Sequence, residues 1–224
     1  MLFFAGCVIF RPLVESLGMP HSLGFTLAGL LLATPFELGF LIWRGSAGRR
    51  ISFGEAAAES AGFRRRLPVG RLLLIVASLV AFTAFAMAAL SPVTGFLQAR
   101  LFADVPDWML SSDDSLTTFG AGTVIIALIL NVIGDCVLSP IAEELYYRGH
   151  LLARIPANAV TAAFSGAALF AATHFWEPEL AIFVFLVQAL LGLVVQRTQS
   201  IRVSIYVHIT VNTISTAISV ISLL

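Results

Sequence analysis

Residues 123–154 read TVIIALILNVIGDCVLSPIAEELYYRGHLLAR. The first part, Thr123 to Ala142, is apolar and as long as the roughly 20 residues a helix needs to cross a bilayer. It nevertheless carries Asn131, Asp135 and Pro140, and Glu143, Glu144 and Arg148 follow directly. An ionisable group at membrane depth costs about 2.5–3.5 kcal/mol on the insertion scale, so such groups turn to the protein interior and often carry function. This one segment therefore predicts a spanning helix that needs polar partners on other helices.

The rest of the chain supplies those helices. Of 224 residues, 58% are hydrophobic and only 12% charged, about half the charge of an ordinary soluble domain (roughly 25%). A water-soluble fold of this length cannot hide so much apolar surface. Six further segments read as candidate spans: Leu2–Leu17, Leu23–Trp43, Leu72–Leu90, Ala159–His174, Leu180–Val195 and Val203–Leu224. The first is the weakest, interrupted by Arg11, Pro12 and Glu15. It lacks the basic start and small-residue cleavage site of a removable leader, so it reads as a span. The expected fold is all-α: one integral membrane domain over 1–224, a polytopic transmembrane bundle of about seven to eight helices. Ala162 and Gly166, four apart, predict a close helix–helix approach.

Charge distribution predicts orientation. All 13 basic residues are Arg, and net charge is zero. The loop 44–71 holds Arg44, Arg49, Arg50, Arg64, Arg65, Arg66 and Arg71, so the positive-inside rule makes it cytoplasmic. The loop 91–122, with Asp104, Asp107, Asp113 and Asp114, then lies outside, and Arg148, Arg154, Arg197 and Arg202 return inside. Topology alone accounts for the basic loop, so no nucleic-acid partner is expected. Phe53 to Phe63 reads as a short interfacial helix. Cys7 and Cys136 read as buried thiols rather than a disulfide or metal site.

Spacing narrows the site. Glu144 and Arg148 stand at i,i+4 with the acid first, a favourable ion pair on one helix face. Glu143 points about 100° away from that face. His208 and Asn212 also stand at i,i+4, and both side chains can donate hydrogen bonds toward one point between helices. Rise per residue puts Glu143, His208 and Asn212 at about 16, 9 and 15 Å from the cytoplasmic ends of their helices. His174 comes out deeper, at about 25 Å, unless its helix tilts or starts later. A carboxylate and an imidazole in a dry cavity can hold and deprotonate a water, and a donor pair can stabilise the resulting oxyanion. Asp135 and Asn131 read as packing contacts, Glu37 as a group satisfying backbone freed by Pro35, and His21 and His150 as loop or interface residues.

Taken in order, Glu143-Glu144-x-x-x-Arg148, Phe170-x-x-x-His174 and His208-x-x-x-Asn212 resemble the three motifs of the CAAX-processing and bacteriocin-immunity type (CPBP) of intramembrane glutamic endopeptidase. The resemblance covers residues 121–216, the expected catalytic core helices, and includes the Gly149 after Arg148. It implies Glu143 as general base, His174 as a holder of the water, His208 and Asn212 as the oxyanion hole, and Glu144 with Arg148 as a supporting pair. It also implies no metal or other cofactor and a membrane-associated peptide or protein substrate, prenylated or not. The site is expected to open to the cytoplasmic side of a bacterial inner or plasma membrane. Two other functions use the same residues. Glu143, His174 and His208 form a possible zinc set, although HExxH is absent. An acid–histidine network can also relay protons or ions in a transporter. Oligomeric state is not legible.

Overall fold

A computed structural model describes residues 2–46, 52–105 and 116–222. Arg49, Arg50, Asp107, Asp113 and Asp114 lie outside the described residues. The described residues form eight helices: α1 Leu2–Ser16, α2 Ser22–Ser46, α3 Phe53–Ser60, α4 Val69–Arg100, α5 Ala121–Arg154, α6 Ala159–Ala171, α7 Ala181–Thr198 and α8 Ile201–Ser222. This is the expected all-α bundle. Five helices are long and apolar enough to cross a membrane: α2, α4, α5, α8 and α7 with the preceding Pro178–Leu180 turn. The protein is an integral membrane protein, and its lipid-facing residues look the part: Leu74, Phe85 and Phe96 of α4 are 64–69% exposed.

Two of the seven expected spans are too short to be full crossings. Helix α1 has 15 residues and α6 has 13; at ~1.5 Å per residue, α6 rises about 20 Å against a hydrocarbon core of ~30 Å. Helix α1 survives its polar interruptions because α2 covers them. Arg11 is buried, its Nε meets Glu15 Oε1 at 3.3 Å, and its guanidinium lies over the Phe25 ring. Gly24 makes this possible, since a Cβ there would sit 2.7 Å from the Arg11 Cα. In the opposite direction, α4 outruns its expected end at Leu90. It continues through Pro92 to Arg100, so the first part of the expected 91–122 loop is helix.

Helix α5 is the centre of the bundle, and α2 lies parallel beside it. Matching positions run upward together: Thr26 with Asp135, Thr34 with Ser139, Phe40 with Tyr146 and His150. Both helices contain wide π-helical turns, Gly29–Ala33 in α2 and Val132–Leu138 and Glu144–Leu151 in α5. Such turns cluster at functional sites; those at Gly29–Ala33 and Val132–Leu138 precede Pro35 and Pro140, which cannot donate to an earlier carbonyl. On the other side, α6 and α7 pack closely, but through Gly192 and Ala163 rather than the expected Gly166. Leu79 of α4, Leu191 of α7, and Val203 and Val207 of α8 form one buried apolar cluster.

The basic ends of the helices gather at one end of the bundle. Gly62 N donates to Gly149 O (2.6 Å), Arg65 N to Gln199 O (2.7 Å) and Ile201 N to Phe63 O (2.7 Å). Helix α3 starts in a capping box, in which the Glu55 carboxylate accepts from Ser52 N and Oγ at 2.9 and 2.7 Å. Those bonds hold the Glu55 carboxyl below its usual range. Gly149 touches Ala61, where a Cβ would come within 2.9 Å, so the residue after Arg148 is small because a neighbouring segment packs on it. His150 is a buried helical residue, not a loop residue; its Nδ1 faces Ser60 O at 3.2 Å.

Candidate active site

A cavity of about 670 Å³ opens between α1, α2, α5, α8 and the turn after α6. Glu143, His174, His208 and Asn212, the four residues singled out from spacing, all line it. Glu144 and Arg148 do not; they are sealed behind it. The split follows from the helix. Glu143 and Glu144 are one residue and about 100° apart, so one side chain is 30% exposed and the other 0%.

The depth of His174 resolves through its backbone. Helix α6 starts at Ala159 and ends at Ala171, so its end rises only about 18 Å from its start. The chain then turns, with Thr173 N donating to Phe170 O and His174 N to Ala171 O, both at 3.0 Å. His174 thus reaches the cavity from a turn, not from a span. Its Nδ1 lies 3.0 Å from Phe170 O. A carbonyl only accepts, so Nδ1 carries the proton and a neutral ring presents a bare Nε2. Trp176 stacks on the ring at 4.7 Å and Phe170 lies at the same centroid distance, which fixes its plane.

His208 joins the open and sealed layers. Its Nδ1 is 3.0 Å from Glu144 Oε1 and its Nε2 is 4.0 Å from Glu143 Oε2. The first is a hydrogen bond, and the second is too long for one. Sequence spacing gave Glu144 a single partner, Arg148, and the ion pair is there at 3.2 Å. It did not reveal that Glu144 also orients His208. The Arg148 guanidinium lies 4.1 Å from the centre of the Phe170 ring and donates to Gln188 on α7. Gln188 carries no local signal beyond being an amide in the apolar middle of α7, whose other polar residues, Gln196, Arg197 and Thr198, lie at its end.

Asn212 donates through Nδ2 to Asp135 O at 2.7 Å, a carbonyl within the π-helical stretch of α5. An amide has two N–H groups, so one stays available to the cavity. Asp135 Oδ2 accepts from Thr26 Oγ1 at 2.5 Å and from Asn131 Nδ2 at 2.8 Å, and Asn131 Oδ1 accepts from Thr216. These contacts fit the packing role expected of Asp135 and Asn131, although both also line the cavity. Cys7 and Cys136 are buried and free. Among the described residues, no three His, Cys, Asp or Glu side chains converge to hold a metal ion.

Residues 125–214 match the family model of type II CAAX prenyl endopeptidases, Rce1-like. Over that stretch, less than half of the chain, it is similar to the CAAX-type membrane proteases. No curated protein and no solved structure matches it. The matched family is one of prenyl endopeptidases, hence of hydrolases. The CAAX-protease match contains Glu143, Glu144, Arg148, His174, His208 and Asn212. It leaves out α1 and α2, which supply Phe3, Phe25 and Glu37 to the wall of the same cavity.

Proposed function

We propose that this protein is a glutamate-dependent intramembrane endopeptidase whose catalytic core is residues 121–216. One observation carries the reading: side chains from three separate motifs, on α5, the turn after α6, and α8, face a single cavity inside a membrane bundle. Glu143 is the only one of the two adjacent acids turned toward it.

In this reading a water bound beside Glu143 gives a hydrogen bond to the bare Nε2 of His174, and Glu143 takes its proton as the water attacks the scissile carbonyl. The carbonyl oxygen becomes an oxyanion. His208, as imidazolium with Nδ1–H held by Glu144, offers Nε2–H to it, and Asn212 offers its second Nδ2–H. Glu144 and Arg148 fix the imidazole from behind. Collapse of the tetrahedral intermediate then requires a proton on the leaving nitrogen.

The substrate class we propose is a membrane-associated peptide or protein, with a prenylated C-terminal segment as one form. The cavity's polar residues sit beside an apolar wall of Phe3, Phe25, Phe36, Phe175 and Trp176, which suits a chain carrying a greasy group. The basic helix ends around Arg154 and Arg202 support a site reached from the cytoplasmic side under the positive-inside rule. The test is proteomics of membrane peptides from cells carrying wild type or Glu143→Ala. The expected result is a set of peptides whose C-terminal fragments vanish in the variant; identical peptide sets would sink the assignment.

A further inference from the structure

We propose that Glu37 of α2 is the general acid of this site, giving the leaving nitrogen its proton while Glu143 serves as base. The proposal deepens the reading above and rests on it.

Sequence spacing gave Glu37 a bland part, satisfying backbone freed by Pro35. The structure gives it another position. Glu37 lines the cavity that holds Glu143, His174 and His208. Its residue is only 8% exposed, and its buried Oε2 has no hydrogen-bond partner. Buried polar atoms are paired in the great majority of cases, so an unpaired oxygen on a residue that lines a cavity marks a place where a ligand atom fits. Glu37 is also close enough to Glu143 and Glu144 to interact electrostatically with both.

Helix geometry explains the placement. The buried hydroxyls of Thr34 and Ser139 meet at 3.0 Å and pin α2 to α5. Glu37 lies three residues beyond Thr34, and Glu143 four beyond Ser139, so each acid sits about one turn farther along its own helix. Because α2 and α5 run parallel, both steps go the same way, and the two carboxyl groups arrive at one level on facing helices. The chemistry can use such a pair, since amide hydrolysis asks for a proton to be accepted from water and a proton to be given to nitrogen, and two groups can divide the steps.

The step balances. Water oxygen bonds to the carbonyl carbon while Glu143 takes one water proton. The C–N bond then breaks, and nitrogen takes the proton of the Glu37 carboxyl. The proton on Glu143 passes to Glu37, which restores both groups and leaves a carboxylic acid and an amine.

The experiment compares two substrates sharing one acyl part, a peptide amide and a phenyl ester, on the purified full chain in detergent. A phenolate leaves without prior protonation, so the ester does not need the acid. For Glu37→Gln, the expected result is a loss of about 10²–10⁴ in kcat on the amide, little change in KM, and ester turnover near that of wild type. Glu37→Asp regains part of the amide rate, and Glu143→Ala loses both reactions. Equal effects of Glu37→Gln on amide and ester, or none on either, would overturn the role of Glu37 alone. A wild type with no Glu143-dependent amide cleavage would overturn the functional reading as well. If Glu37→Gln does not fold, as judged by helicity and melting, Glu37→Asp decides: selective loss on the amide supports the proposal, equal rates refute it.

Discussion

Glu143 and Glu144 are neighbours on one helix, yet they belong to different regions. Glu144 lies in a sealed layer where Arg148, His208 and Gln188 link into one chain of contacts over the Phe170 ring. Glu143 lies in an open layer with His174, Asn212 and Glu37, around a cavity of about 670 Å³. In the sealed layer Glu144, Arg148, His208 and Gln188 contact one another, although Glu144 Oε2 finds no hydrogen bond; in the open layer the side chains line the cavity. The difference teaches that adjacent acids in one turn of helix can meet two ends, one fixing partner helices behind and one facing the cavity in front.

The comparison can be broken by exchanging the fates of the two acids. Glu144→Ala leaves Arg148 buried without its counter-ion and His208 without its anchor. Removing one member of a buried pair costs about 3–5 kcal/mol, so the expected outcome is a large drop in melting temperature in detergent together with lost activity. Glu143→Ala should lose about 10²–10⁴ in turnover with melting unchanged. If both variants melt alike, the two layers are not distinct.

Smaller changes sharpen the boundary. Asn212→Ala should lose about 10²–10³ in kcat if its second N–H meets the oxyanion, read from steady-state kinetics on a peptide reporter. Gln188→Ala removes a partner of Arg148 from behind and should cost about 1–3 kcal/mol of stability, seen as earlier melting, with a modest effect on kcat. The smallest expected effect is that of a strong chelator. Turnover dependent on Glu143 should be unchanged after metal is stripped, and loss restored by zinc would turn the open layer into a metal site.

Much of this was legible without coordinates. The apolar runs gave the helices because bilayer thickness sets their length. The i,i+4 pairs Glu144–Arg148 and His208–Asn212 gave shared faces because helical pitch is local. What was misread depended on neighbours. His174 was assigned to a span because nothing in its own sequence ends α6 at Ala171. Helix α4 was ended at Leu90 because a polar Ser91-Pro92 resembles a terminus. Glu37 reads locally as a partner for backbone freed by Pro35, and the cavity it shares with Glu143, more than a hundred residues away, has no local signal.

The sequence by itself determined that this chain lives in lipid, which residues are too polar to face it, and which of those share a helix face. Composition and the 3.6-residue period are properties of a segment alone. Only the tertiary structure decided that Glu144 reaches His208, that Asn212 binds a backbone carbonyl of α5, and that Glu37 lines the same cavity as Glu143. Those contacts depend on the parallel register of α2 with α5 and on where α6 stops, and packing between helices, not any one helix, fixes both.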